Sequence, residues 1–313
     1  MLPYTRWAVV LAGGDGRRLQ SLARLISGDD RPKQFCHVFG TRSLLQDTLA
    51  RLSGTVARPA TLCVVRRDHE CYYRSELAAF EERQIVEQSE SRGTAAAIAY
   101  ALRRIESVAA QPGVVGFFPS DHYFAHPLAM QHAVAETYSA ALRHPHHVFL
   151  VGAEATAPEV DYGWIEPGSP LTTSVAGITR SEHVHCVERF WEKPSADVAR
   201  ALLGRRCLWN TFIVIGHAHA FEGVFEQTQP ALWSRLAPLA RPGLGAAEAS
   251  LARELYRDAP MVDFSRDVLR RVSDRLAVAP LTNAGWTDLG RSARVMHALR
   301  HTRQVSASVQ LAG

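Results

Sequence analysis

The chain predicts an α/β fold, a mainly parallel sheet flanked by helices, on three observations. Short apolar runs of strand length alternate with helix-period segments through the first 150 residues. One of those runs ends in a carboxylate-bearing turn, where open α/β sheets bind ligands. Composition is that of an ordinary globular protein. With 313 residues, 47% hydrophobic and 21% charged, the chain can bury a substantial core as one large domain or two small ones.

Taken in order, residues 7–11 (WAVVL) read as a short buried strand, broken by Ala12-Gly13-Gly14-Asp15-Gly16. Glycines leave no Cβ between main-chain N–H groups and a ligand. Arg17 and Arg18 follow, and Lys33 stands in a separate turn after Arg31-Pro32. Bare amide donors ringed by fixed positive charge are how a protein holds a polyphosphate. A dinucleotide fingerprint would need glycine where Leu19 stands, and a P-loop would need a G-K-[ST] that is absent. The plainer alternative is a strand-to-helix turn with solvated arginines.

Residues 43–52 form a helix with Leu44, Leu45, Thr48, Leu49 and Leu52 on one face, and 60–65 a second strand. A helix over 69–82 and a strand over 84–87 follow. Gln88 to Ala95 leads into an alanine-rich helix through Ile105, with Thr94 or Ser91 as its simplest cap. Residues 114–118 are the next strand, ending in Pro119-Ser120-Asp121-His122. Asp121 suits either a cap on the helix predicted over 128–142 or a Mg²⁺ ligand, since Mg²⁺ prefers one or two carboxylates plus phosphate oxygens and water. His144, His146 and His147 fall in a proline-containing loop and read as solvated. A strand covers 148–151, residues 218–258 are mainly helical, and Asp263 or Ser265 opens a helix. A late strand over 276–281 precedes a turn holding Asp288, and a helix over 292–301 leaves a frayed tail from Gln304.

The opening loop with Lys33 resembles the signature of sugar-1-phosphate nucleotidylyltransferases, usually G-G-x-G-x-R-L followed by P-K. Partial matches then run in the family's order: Pro119-Ser120-Asp121-His122, Asp161-Tyr162-Gly163-Trp164-Ile165, Val187 to Pro194 for V-x-x-F-x-E-K-P, Trp209-Asn210, and Gly285 to Gly290 for G-W-x-D-[LVI]-G. Pro32-Lys33-Gln34-Phe35, Ser120-Asp121-His122 and Trp209-Asn210 are most similar to the mannose-1-phosphate guanylyltransferases. The resemblance implies a Rossmann-like mixed sheet of the nucleotide-diphospho-sugar transferase type. It implies one domain over 1–313, with a nucleotide-binding half, 1–150, and a sugar-binding half with C-terminal helices, 151–313. The activity it implies is transfer of a nucleotidyl group from a nucleoside triphosphate, GTP on this likeness, to a sugar 1-phosphate, giving NDP-sugar and pyrophosphate.

Residue by residue, the resemblance makes Arg18, Lys33 and Lys193 catalytic cations. Ala12, Gly13, Gly14, Gly16, Arg17, Gln88, Gly93 and Thr94 become nucleotide contacts, and Gly163, Glu192 and Asn210 sugar contacts. Asp121 and Asp288 become the ligands of Mg²⁺. Two departures stand out. Arg17 replaces the family's usual Thr, and Thr211-Phe212 replaces its Ser-Gly, where the Phe is expected to narrow or reshape the sugar pocket. Those departures are the support for a second reading, a binding or regulatory protein that has lost catalysis. A related glycosyltransferase would need a D-x-D motif, which Ser120-Asp121-His122 is not. Gln88 serves guanine, uracil or thymine equally, and mannose is favoured over glucose only by likeness.

A formal charge of +4, without basic runs or aromatic-basic interleaving, argues against nucleic acid as a partner. No signal peptide and no bilayer-length apolar run is expected, so neither is a membrane. The five cysteines have no metal-like spacing and read as reduced residues of a cytoplasmic protein. A homo-oligomer is compatible with the chain, whose oligomeric state is unreadable. Longer bacterial members carry a cupin-type isomerase domain; this chain ends before one, so isomerase activity is not expected.

Overall fold

The structure is a computed structural model that describes residues 6–16, 19–109, 111–175 and 178–312. Strand β1, Arg6–Leu11, is buried over its four central residues, as a strand covered on both faces must be. Helix α1, Gln20–Ser27, ends at Gly28, and α2, Leu44–Leu52, starts from a reciprocal Ser43/Gln46 capping box. Strand β2, Thr61–Arg66, is followed by α3, Glu70–Glu76, and β3, Ile85–Gln88. The helix expected over 69–82 is shorter because Leu77 is buried at its end and Glu81 and Gln84 cap a separate short turn entering β3.

Helix α4, Gly93–Val108, is buried from Ala95 through Ile105 on every side, which its alanines permit. Two arginines enter that interior with partners. Arg104 pairs with Glu248, and Arg103 lies 3.5 Å over the Trp233 ring while donating to the Trp233 carbonyl at 3.1 Å. Strand β4, Val114–Pro119, the two-residue β5, Tyr123–Phe124, and α5, Pro127–Arg143, follow. The cap of α5 is His126, not Asp121.

The second half begins with β6, Val148–Glu154, and a long hairpin of β7, Gly163–Val175, and β8, Ile178–Glu192. Next are α6, Ala196–Gly204, β9, Leu208–His217, α7, Ala218–Thr228, α8, Pro230–Leu236, and α9, Ala247–Arg257. Asp263 caps a turn of π-helix at Phe264–Val268, accepting from the Arg266 amide at 2.9 Å. Strands β10, Leu276–Leu281, and β11, Trp286–Thr287, precede α10, Ser292–Ala312. That helix runs past the expected 301 and through the tail read as frayed, because no glycine or proline interrupts it before Gly313.

The strands form one nine-stranded mixed sheet in the order β3-β2-β1-β4-β9-β6-β10-β8-β7. Strands β3, β2, β1 and β4 are parallel, as is β6 with β10. Strand β9 runs antiparallel between β4 and β6 and joins the two parallel sections. A two-stranded ribbon of β5 and β11 brings the segment after β4 beside the segment after β10. His144 is not solvated: its Nε2 lies 3.1 Å from Glu182 on β8, a neighbour remote in sequence. All five cysteines are free. Among the described residues no helix is long and apolar enough to cross a membrane.

Candidate active site

The carboxyl ends of β1 and β4 open onto a cleft of about 330 Å³ lined by Gly13, Gly14, Gln88, Gly93, Thr94 and Asp121, among others. The glycine loop above it is fixed from both sides. The Ala12 amide donates to the Val64 carbonyl at 2.8 Å, and the Gln34 amide donates to the carbonyls of Ala12 and Gly14 at 2.8 and 2.9 Å. Gly16 sits at φ +64, and a Cβ there would stand 2.8 Å from the Lys33 amide nitrogen. The glycine therefore lets the lysine turn close on the loop. Arg17 and Arg18 lie outside the described residues.

Lys33 is the hub. Its ammonium is 2.8 Å from Asp121 Oδ2 and donates to the Asp288 carbonyl at 2.6 Å. The β5–β11 ribbon makes this meeting possible, since it pairs Thr287 with Tyr123 and so sets the segments that hold Asp288 and Asp121 side by side, although they lie 167 positions apart in sequence (288 − 121). Burial pushes the Asp121 carboxyl up, but the Lys33 ammonium outweighs it and holds the group below its usual range. Asp288 is also held low: burial opposes, while the Gly290 amide, Arg294 and Lys33 favour the carboxylate. Its Oδ1 accepts from the Gly290 amide at 2.8 Å, Arg294 at 2.8 Å and the Tyr162 hydroxyl at 3.1 Å. The turn reading of Asp288 is thus realised together with its placement at the lysine. Burial drives His122 down to about 4, and its Nδ1 takes the Trp286 indole N–H at 3.2 Å, so it enters this cluster as a neutral acceptor.

Gln88 is buried, its amide donating to the Tyr256 hydroxyl at 3.1 Å. A Cβ on Gly13 would lie 2.8 Å from Gln88 Oε1, so the carbonyl end of that side chain faces the glycine loop. Thr94 and Ser91 do not cap α4; the Thr94 hydroxyl instead accepts from the Phe264 amide at 2.8 Å. Gly93, at φ +82, lets the α4 start close on Val262, whose carbonyl accepts from the Ala95 amide at 3.1 Å.

The three expected sugar contacts meet one another on β7, β8 and β9. A Cβ on Gly163 would stand 3.0 Å from Glu192 Oε2 and 3.2 Å from Asn210 Cβ. Burial raises the Glu192 carboxyl above its usual range, against the attraction of Lys193. Tyr162, the residue before Gly163, joins this group to Asp288. Lys193 is the outlier: more than half exposed at φ +47, its ammonium 3.7 Å from Glu192.

Three residues at this site carried no expectation from sequence: Gln34 under the loop, Tyr162 on Asp288, and Arg294. Arg294 had a signal. A cation in the first turn of a helix opposes the macrodipole, so its presence at the start of α10 asks for an acidic partner. The structure supplies three, Glu159 at 2.6 Å, Asp288 at 2.8 Å and Asp161 at 3.6 Å, and sets the guanidinium 4.2 Å over the Tyr162 ring.

Whether Asp121 and Asp288 suit Mg²⁺ can be tested on their donors. Among the described residues no set of three or more His, Cys, Asp or Glu side chains is arranged to enclose a metal. Asp121 lines the cleft and Asp288 adjoins it across Lys33, and two carboxylates are what an ion that takes its remaining ligands from phosphate and water requires. The donor set fits.

The profile of the family described as nucleotidyl transferase matches residues 7–304. The chain belongs to that family. As a nucleotidyl transferase it is 30% identical over 90% of its length to the xanthan biosynthesis protein XanB of Xanthomonas campestris pv. campestris, strain B100. It is 28% identical, over 90% of its length, to a mannose-1-phosphate guanylyltransferase of Sinorhizobium fredii. This nucleotidyl transferase spans about half the length of those curated relatives, 57% and 52% respectively. Among solved structures it resembles a Thermus thermophilus protein described as a mannose-1-phosphate geranyltransferase, with a TM-score of 0.77 and 27% identity. That alignment covers 92% of this chain and 77% of the other.

Proposed function

We propose that this protein transfers a nucleotidyl group from a nucleoside triphosphate, GTP, to a sugar 1-phosphate, mannose 1-phosphate, releasing pyrophosphate. The observation that carries the reading is the convergence of Lys33, Asp121 and the Asp288 turn at the mouth of a glycine-walled cleft. Membership of the nucleotidyl transferase family supports the reaction class, and the names of the relatives support guanine and mannose.

In this reaction an oxygen of the sugar phosphate attacks the α-phosphorus, and the bond to the β-phosphate breaks as pyrophosphate departs. Two anions must meet, so positioning and charge neutralisation are the main tasks. The amides of Gly13 and Gly14, with Gly16, Arg17 and Arg18, hold the triphosphate, and Ala12, whose own amide is taken by Val64, anchors the start of that loop. Gln88 addresses the base, with Gly93 and Thr94 beside it. Glu192 accepts from sugar hydroxyls near Gly163 and Asn210. Lys33 and Lys193 offset charge on the reacting phosphates. Asp121 and Asp288 would hold Mg²⁺, which supplies further neutralisation of phosphate charge. On this reading the enzyme works on small molecules in the cytoplasm.

The test is pyrophosphate release across a panel of triphosphates and sugar 1-phosphates, read by product mass, with Asp121→Asn alongside. GTP with mannose 1-phosphate should be the best pair. The variant should lose on the order of 10²–10³-fold or more in turnover with an unchanged circular dichroism spectrum. Near-normal turnover in the variant removes Asp121 from the chemistry, and silence across the whole panel removes the function.

A further inference from the structure

Gln88 closes β3 at the carboxyl end of the parallel strands, where open α/β sheets bind ligands. Its side chain is 4% exposed, and its amide rests on the hydroxyl of Tyr256, a fully buried residue of α9. That hydroxyl has one proton, and the proton is committed: it goes to the Ala96 carbonyl of α4 at 2.9 Å. Burial pushes the Tyr256 phenol up, so the proton stays in place at neutral pH. Toward Gln88 the hydroxyl therefore offers lone pairs only. With the carboxamide reversed, one proton would face two oxygens, that of Ala96 and Gln88 Oε1, and a buried hydrogen bond would be lost. The amide end is thus held on Tyr256, and Oε1 is turned toward the glycine loop, 2.8 Å from where a Cβ on Gly13 would stand. Among the described residues that oxygen accepts no hydrogen bond, and its side chain lines the cleft.

The glycine loop gives the cleft two ends. Its Gly13 end meets Gln88, and its Gly16 end meets the Lys33 turn, where the Lys33–Asp121 ion pair sits. Arg66, also near Gly13, has its guanidinium on Asp15 and Asp68. A triphosphate held at the lysine end leaves its base at the Gln88 end. We propose that Tyr256 is a positioning residue for base selection: by fixing the Gln88 carboxamide it leaves one oriented acceptor, which selects bases with a protonated ring nitrogen. Guanine meets Oε1 with N1–H, and uracil or thymine with N3–H. Adenine and cytosine place a bare acceptor nitrogen there, and two acceptors face to face leave both unpaired at a buried position. The inference rests on the nucleotidyl-transfer reading of the site and on Gln88 addressing the base.

The experiment measures kcat/KM with mannose 1-phosphate for GTP, ITP and ATP in wild type, Tyr256→Phe, Gln88→Met and the double variant. ITP keeps the N1–H and lacks the 2-amino group. In wild type it should fall within about tenfold of GTP, with ATP about tenfold or more below ITP. Tyr256→Phe keeps the ring that packs 5.8 Å from Tyr100 and removes the oxygen that holds the amide. The ITP/ATP ratio should then drop about tenfold, whereas in the Gln88→Met background the same substitution should change it by less than about twofold. A loss shared equally by all three triphosphates makes Tyr256 structural and overturns the proposal, as does an equal effect with and without Gln88. Should Tyr256→Phe fail to fold, the other proteins decide. An ITP/ATP ratio near one in wild type, or one that Gln88→Met leaves unchanged, overturns the proposal. A wild type that uses pyrimidines is read by its UTP/CTP ratio in the same way. Silence with every triphosphate fails at the function itself, before any variant is compared.

Discussion

Lys33 makes one ionic contact and two carbonyl contacts, so shortening it disturbs both the charge and the shape of the site. In Lys33→Met, Asp121 loses its nearest cation and the carbonyls of Asp288 and Leu289 lose their donor. A net loss of about 1–3 kcal/mol is expected from the orphaned groups, measured by urea unfolding. Turnover should fall on the order of 10²–10³-fold, as for other removed electrostatic groups. Arg294 acts at one remove, by orienting Asp288. Arg294→Met should lower activity about 10–100-fold and raise the Mg²⁺ concentration needed for half-maximal rate, as loss of a partner behind a ligand does. A normal Mg²⁺ titration in that variant would leave Arg294 as a structural residue only. Asp121 was legible in the sequence because its turn directly follows an apolar run, and Lys33 because its Pro-Lys-Gln-Phe turn resembles the family's P-K. The Arg294–Glu159 contact was not, because 135 positions separate the two and only packing brings them together.

At the scale of elements, the start of α4 and the β7–β8 hairpin show where local pattern stops being informative. The alanine run announced a helix, and the helix is there. The expected side-chain cap is not, because Gly93 lets the backbone reach Val262 and that contact takes over the work at the helix start. A Cβ at residue 93, where φ is +82, would overlap the Val262 carbonyl oxygen. Gly93→Ala should therefore cost roughly 2–5 kcal/mol, from the left-handed conformation and the overlap together, seen as a large drop in Tm. The hairpin is anchored differently. Glu182 on β8 meets Arg143 at 2.6 Å at the end of α5, with Thr173 and His144 beside it. The Arg143 hydrogen bond is the main cause that holds its carboxyl down at about 2. A depressed carboxylate stabilises the fold above its unfolded pKa and loses that contribution as pH falls toward the folded one. Wild type should thus exceed Glu182→Gln in urea midpoint at pH 7, and the gap should close between about pH 4.5 and pH 2. A gap that is constant or widens on acidification would contradict the pairing. Sequence offered no hint of it, since Glu182 lies 39 residues from Arg143.

Across the whole molecule, the strand order decides how the two parts of the chain depend on each other. The parallel strands β1 to β4 were readable because each is linked to the next by a local crossover. The insertion of β9 between β4 and β6 was not, because it pairs residues about 100 positions apart (217 against 114) with no local signature. That insertion makes the sheet continuous, and Asp288 comes to Lys33 because β10 lies on that sheet while β11, after it, pairs with β5 in the separate ribbon. Residues 1–150 and 151–313 should consequently unfold together. A ligand that bridges the glycine loop and the Glu192 group contacts both parts, so it should stabilise the one transition they share. GDP-mannose, the product of the proposed reaction, should at about 100 times its Kd add about 2.7 kcal/mol to the native state, or roughly 4 °C in Tm for a chain of this size. Scanning calorimetry should show a single endotherm that moves as a whole with ligand. Two endotherms, of which GDP-mannose shifts only one, would mean that the halves are separate cooperative units and that the ligand does not span them. A site assembled across the sheet would then have no thermodynamic counterpart.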